Sequence, residues 1–124
     1  MKKIIRLMLF FSLFFFLSLG IAFASRSSVS LTAPESVPKG TEVTISVNVT
    51  HSGNSMFHYT NWVYVKVNGK EVARWGFSAM KTPESENFTK EFKYTVNEPA
   101  QIEAEANCNI HGSTGITKAG ISVK

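Results

Sequence analysis

The chain has 124 residues, 13 of them basic and nine acidic, for a formal net charge of +4, and it contains a single cysteine. One cysteine excludes an internal disulfide framework and any four-cysteine redox centre. Three of the basic residues, Lys2, Lys3 and Arg6, precede a long apolar run, so the remainder carries ten basic against nine acidic side chains. That balance lacks the basic stripe a nucleic-acid partner would require.

The first 24 residues have the layout of a secretory signal peptide. Lys2, Lys3 and Arg6 form the basic region. Leu7 through Ala24 forms the apolar run, broken only by Ser12, Ser18 and Gly20, and Ala22-Phe23-Ala24 is a small-x-small cleavage site. The run is nearly long enough to span a bilayer, so a retained anchor is the rival reading. The cleavage site directly after it favours removal behind Ala24. The expectation is therefore an exported protein, periplasmic or extracellular, whose only membrane contact would be through an uncleaved signal segment. Residues 1–24 would be the signal and residues 25–124 one domain, enough for one modest core.

From there the pattern is alternation at period 2. A short strand near Val29 to Leu31 opens the domain. Val43, Ile45, Val47 and Val49 alternate with Thr44, Ser46 and Asn48, which reads as a half-buried strand. Tyr59 to Val67 is a second long run, rich in aromatic and β-branched residues, with Trp62 and Tyr64 expected in the core. Asn68-Gly69 separates it from Lys70 to Phe77, the strongest short hairpin signal. Phe88, Phe92, Tyr94 and Val96 mark the next strand; Ile102, Ala104 and Ala106 the one after; Ala119, Ile121 and Val123 the last. Turn residues punctuate the series at Pro38-Lys39-Gly40, Thr82-Pro83-Glu84 and Asn97-Glu98-Pro99. No segment after the signal shows a helical period. About seven short strands separated by turns predict an all-β fold, an antiparallel sandwich of immunoglobulin-like type. Its exposed edge strands leave a homo-oligomer open.

All three histidines lie near strand ends: His51 after the first long strand, His58 before the second, and His111 three residues past Cys108. Loops of a sandwich cluster at its two ends, so His51, His58, Cys108 and His111 are candidates to meet at one of them. Imidazole and thiolate together suit zinc, copper or iron. Against this stands the bland alternative that each histidine is a surface loop residue.

The segment Cys108-Asn109-Ile110-His111-Gly112 resembles the Cys-Asn-x-His-Gly motif of superoxide reductases of the neelaredoxin and desulfoferrodoxin type. His58-Tyr59-Thr60-Asn61-Trp62 is similar to that family's His-Tyr-x-x-Trp, and Val37 to Val43 resembles the approach to its first long strand. The resemblance implies a mononuclear, non-haem iron with Cys108 as axial thiolate and His51, His58 and His111 as equatorial ligands. It further implies superoxide as substrate, hydrogen peroxide as product, and a separate electron-donor protein. The family's amino-terminal Lys-His pair has no counterpart; Arg26 and Ser27 stand there.

Two other functions compete. A copper electron carrier would take Cys108, His111 and either His51 or His58 as a trigonal set, with Met56 as weak axial ligand. A non-enzymatic metal-binding or partner-binding sandwich would fit the missing fourth histidine.

Overall fold

The computed structural model describes residues 25–124; the expected signal peptide lies outside them. Eight strands follow in order: β1 (Ser28–Thr32), β2 (Ser36–Val37), β3 (Thr41–Thr50), β4 (Thr60–Val67), β5 (Lys70–Gly76), β6 (Phe88–Val96), β7 (Ala100–Cys108) and β8 (Thr117–Val123). They form a three-stranded sheet ordered β1-β3-β6 and a five-stranded sheet ordered β2-β8-β7-β4-β5. Between them the sheets make the expected immunoglobulin-like sandwich.

Alternation decides which side chains fill it. Val43, Ile45, Val47 and Val49 of β3 face Val63, Val65 and Val67 of β4 and Ile102, Ala104 and Ala106 of β7 across one continuous core. Most of these are completely buried. The small alanines of β7 sit in the middle of the larger sheet, where β-branched residues from both sides reach over them.

Eight strands agree with the expected count of about seven; the further one is β2, which pairs in parallel with β8 through Ser36–Ser122 and Val37–Val123. Two residues hemmed in by Pro34 and Pro38 are too few to show a period. One expectation needs correction: Trp62 and Tyr64 point away from the inter-sheet core, because Val63, Val65 and Val67 take the inward positions of β4, although Tyr64 is buried, at 9% exposure, on the outer face. They stack on the outer face of the larger sheet, ring centroids 5.5 Å apart. The Arg74 guanidinium lies over both rings, 5.8 Å from Trp62 and 5.3 Å from Tyr64. The Tyr64 hydroxyl donates to Glu105 at 2.9 Å. A cation over the ring faces and a bonded hydroxyl tip let two large aromatics sit outside the core without an open apolar patch.

The Asn-Gly hairpin forms as expected, with φ of 49° at Asn68 and 83° at Gly69, as a type I′ turn demands. Asn68 also reaches the neighbouring β6–β7 turn. Its Oδ1 accepts from Gln101 N at 2.8 Å and its Nδ2 donates to Pro99 O at 3.2 Å. Two hairpin turns are thereby clamped at one end of the sandwich. Asn68→Ala removes both bonds and puts a Cβ-bearing residue with no polar compensation at positive φ. It should lower the unfolding free energy by about 2 kcal/mol in urea titration. Metal content should not change, since β4 separates Asn68 from the histidines by its whole length.

Candidate metal centre

The alternation that builds the core also supplies its end. The inward series of β3 is Val43, Ile45, Val47, Val49, and the next member is His51, one residue beyond the strand and 3% exposed. The inward series of β7 is Ala100, Ile102, Ala104, Ala106, and it ends in Cys108, 1% exposed. One imidazole and one thiol, from opposite sheets, therefore cap the core together.

His58 arrives from the loop between β3 and β4. Ser55 and His58 exchange backbone hydrogen bonds at 2.9 and 3.3 Å, which turns the loop back on itself. The His58 ring lies against Gly53, where a Cβ would come within 2.5 Å of Nδ1, so glycine is needed for the approach. The His51 and His58 rings meet edge to face with centroids 4.7 Å apart, and His58 and His111 at 5.2 Å.

The thiol is held by a tight turn. Cys108 N donates to Gly112 O at 2.9 Å and Gly112 N to Cys108 O at 3.0 Å, with Gly112 at φ 84°. Inside the turn the His111 N–H points at Cys108 Sγ from 3.5 Å, a donor that favours a thiolate. Asn109 fastens the histidine loop to this turn. Its Oδ1 accepts from Tyr59 N at 2.9 Å, its Nδ2 donates to Phe57 O at 3.1 Å, and its own N donates to Tyr59 O at 3.1 Å.

The start of the described chain closes the site. Ser27 is fully buried; its N donates to Gly112 O at 3.2 Å, its O accepts from Thr114 N at 3.0 Å, and its hydroxyl bonds Thr60 at 2.7 Å. Ser25, 6% exposed, presents its carbonyl oxygen 2.9 Å from His51 Nε2. A carbonyl only accepts, so Nε2 carries the proton and Nδ1 keeps the lone pair.

Of the four residues expected to converge, His51, His58 and Cys108 do so, each offering a ligand atom within 4.8 Å of the others. His111 is exposed and stands beside this group, at the edge of His58. Two buried ring nitrogens, His51 Nδ1 and His58 Nε2, have no hydrogen-bond partner. Unpaired buried polar atoms are costly and rare, and a pair of them beside a buried thiol fits a metal ion. Burial first, and then His51 and His111, hold the His58 imidazole below its ordinary value of 6.5, which favours the neutral, ligating form; the Ser25 backbone pulls the other way. Met56, the axial candidate of the copper alternative, is half exposed.

Sequence reasoning missed Ser25 and Gly53. Ser25 acts through its backbone, which no residue type announces; Gly53 sits between the two histidines, where a loop glycine could have been taken as a sign of close packing. The surroundings are apolar for a surface: Met56, Phe57 and Ile110 on the joined loop and turn are 49%, 76% and 58% exposed. A shallow depression of about 410 Å³ at the opposite end, bounded by Glu35, Asn68, Pro99 and Gln101 among others, contains no histidine or cysteine.

The desulfoferrodoxin family model matches residues 26–114. No curated protein sequence matches the chain. Among solved structures, a superoxide reductase (neelaredoxin) of Ignicoccus hospitalis superposes with a TM-score of 0.68 at 21% identity, covering 84% of this chain and 86% of that one. A putative superoxide reductase of Thermotoga maritima gives 0.62 at 26% identity, covering 78% and 86%. A PKD domain of an M14-like peptidase from a Thermoplasmatales archaeon gives 0.61 at 13% identity, covering 81% and 97%, a likeness of fold alone.

Asn109→Ala should free the 51–59 loop and weaken metal binding by roughly tenfold to a hundredfold, with circular dichroism unchanged. Protonation gives a second expectation. The unfolded chain binds a proton at His58 near pH 6.5 while the folded chain still resists it, so the unfolded state holds more protons in that window. Stability of the metal-free protein should therefore fall as pH drops below about 6.5 and level off once the folded ring is also protonated. Urea midpoints across pH measure this, and His58→Asn should flatten the profile.

Proposed function

The chain belongs to the desulfoferrodoxin family of superoxide reductases, and from that premise we propose that it is an exported iron protein that reduces superoxide by one electron to hydrogen peroxide. The observation that supports this most is the convergence of His51, His58 and Cys108 at a buried end of the core, with two ring nitrogens there lacking any partner.

In this reading His51, His58 and Cys108 hold the ion, with His111 joining from the rim. Bound iron supplies the one-electron couple; each superoxide consumed takes one electron and two protons to become hydrogen peroxide. The protein's own part is to hold and shield. Burial of Cys108 keeps its sulfur from bulk oxidants, and the His111 N–H offsets the charge of a thiolate. The Ser25 carbonyl fixes the His51 tautomer, so that Nδ1 is presented as a ligand. Exposed His111 places an imidazole where protons and a small anion reach the site from solvent. These 124 residues hold one cysteine and so no four-cysteine redox centre; in this reading the electron comes from a separate donor protein. Removal of residues 1–24 after Ala24 would release the domain into a periplasmic or extracellular space.

The test is to purify residues 25–124 without oxygen and measure metal per chain and superoxide consumption with a reductant present, beside His51→Ala and Cys108→Ser. Near-stoichiometric iron, lost in His51→Ala, with consumption abolished in Cys108→Ser, is the expected outcome. Stoichiometric copper with no superoxide consumption would point to an electron carrier. Equal consumption by wild type and Cys108→Ser would overturn the thiolate role.

A further inference from the structure

The two segments that build the site carry no acidic or basic side chain. All ten basic and nine acidic residues of the described chain lie outside residues 43–65 and 106–117, and those two segments hold His51, His58, Cys108 and His111. Neighbouring segments bring Arg26, next to buried Ser27, and Lys81, Glu84 and Glu86 on the loop whose Pro83 carbonyl accepts from Asn54 at 2.7 Å. Two charges of each sign leave this end without net charge. What it presents instead is apolar. Met56 and Phe57 form the tip of the turn closed by Ser55 and His58. Ser55 Oγ accepts from Phe57 N at 3.3 Å and from His58 N at 3.2 Å, and Phe57 O accepts from Asn109 Nδ2 at 3.1 Å. The backbone is thus pinned on both sides of an aromatic ring that is 76% exposed. Ile110, 58% exposed, stands in the turn that does the pinning.

Each of these side chains is one residue from an imidazole of the cluster, Phe57 before His58 and Ile110 before His111. His111 is exposed; its ring meets His58 at 5.2 Å, and His58 meets His51 at 4.7 Å. Three imidazoles therefore run from the surface to the buried end of the core. Exposed aromatic and methionine side chains with charge excluded are the composition of the centre of a protein interface. We propose that this uncharged apolar face is the docking surface of the electron donor, and that the donor meets it with an apolar face equally free of charge. This rests on the reductase reading, in which each superoxide consumed requires one electron, and a donor seated on Phe57 and Ile110 delivers it beside His111. A strongly acidic or basic donor face would give up hydration here and find no opposite charge in return. Phe57, held rigid and outward, is the anchor that sets the orientation. Without steering charges the encounter proceeds at the basal rate of protein association, about 10⁵–10⁶ M⁻¹s⁻¹, and responds little to salt.

The probe is a small electron-transfer protein with one iron held by four cysteines, used with an acidic surface around its iron and with those carboxylates replaced by alanine. Residues 25–124, which contain all eight strands, are titrated with each form. Amide NMR shifts of the metal-free domain report where the probe sits, and stopped-flow reduction of the oxidised, iron-loaded domain reports transfer. The neutralised probe should shift amides of residues 55–59 and 109–113 and react roughly tenfold faster than the acidic one. Its rate should change little between about 0.01 and 1 M salt, over which the screening length shrinks from about 30 to 3 Å. Phe57→Ser combined with Ile110→Ser should slow transfer from it and weaken its binding roughly tenfold or more. Iron content and reduction by ascorbate should stay as in the parent. A faster acidic probe, a steep salt dependence, no shifts at this face with either probe, or an unimpaired double variant would each overturn the proposal. So would self-association of the parent, or its sedimentation with phosphatidylcholine vesicles, that Phe57→Ser abolishes, because a second copy or a lipid surface would then be the occupant. A parent that takes up no iron, or that consumes no superoxide with ascorbate present, would instead sink the reductase reading itself.

Discussion

Cys108 and Gly112 exchange two backbone hydrogen bonds across a turn that only a left-handed residue can close, and Gly112 provides it. The Gly112 carbonyl accepts twice, from Cys108 N and from Ser27 N. Through that one oxygen the end of β7 fixes both the thiol and the first described segment of the chain. Asn109, inside the same turn, fastens the histidine loop with three further bonds. The site is thus assembled around a rigid turn, and its loops are positioned by the turn more than by their own sequences. The family's Cys-Asn-x-His-Gly pattern has a physical content here: a thiol, a clamp, a donor to sulfur with its imidazole, and the glycine that permits the rest.

Most of the fold was legible because most of it obeys a period of two. The β3 alternation, the Asn68-Gly69 hairpin and the β7 alternation stand in the structure where the sequence puts them. β2 was not legible, since two residues beside prolines have no pattern to show. Trp62 and Tyr64 show that size is a poorer guide than parity: Val63, Val65 and Val67 take the inward positions, and the two aromatics lie on the outer face, Tyr64 buried there.

For the site, parity held more information than proximity to strand ends. Counting by twos from Val43 reaches His51, and counting by twos from Ile102 reaches Cys108, so the burial of both was encoded in plain sight. His58 and His111 lie off any strand, and their exposure depends on loop geometry that no period describes. Ser25 was invisible because its contribution is a carbonyl oxygen, and every residue has one.

The closure of the site by Ser27 on Gly112 and Thr114 joins parts of the chain more than 80 positions apart. A polypeptide made from its amino end produces Ser25 and His51 well before Cys108 and Gly112. Pairings of such long sequence separation form slowly, because the intervening loop must first be closed at an entropic cost. Closing the site therefore requires one of the longest loops of the domain to be shut, as the β2–β8 pairing also does. Until that loop is shut, the lone thiol is as accessible to oxidants and to stray metal as any cysteine in an unfolded chain, so the order of folding, and not only the finished structure, decides what the site captures first.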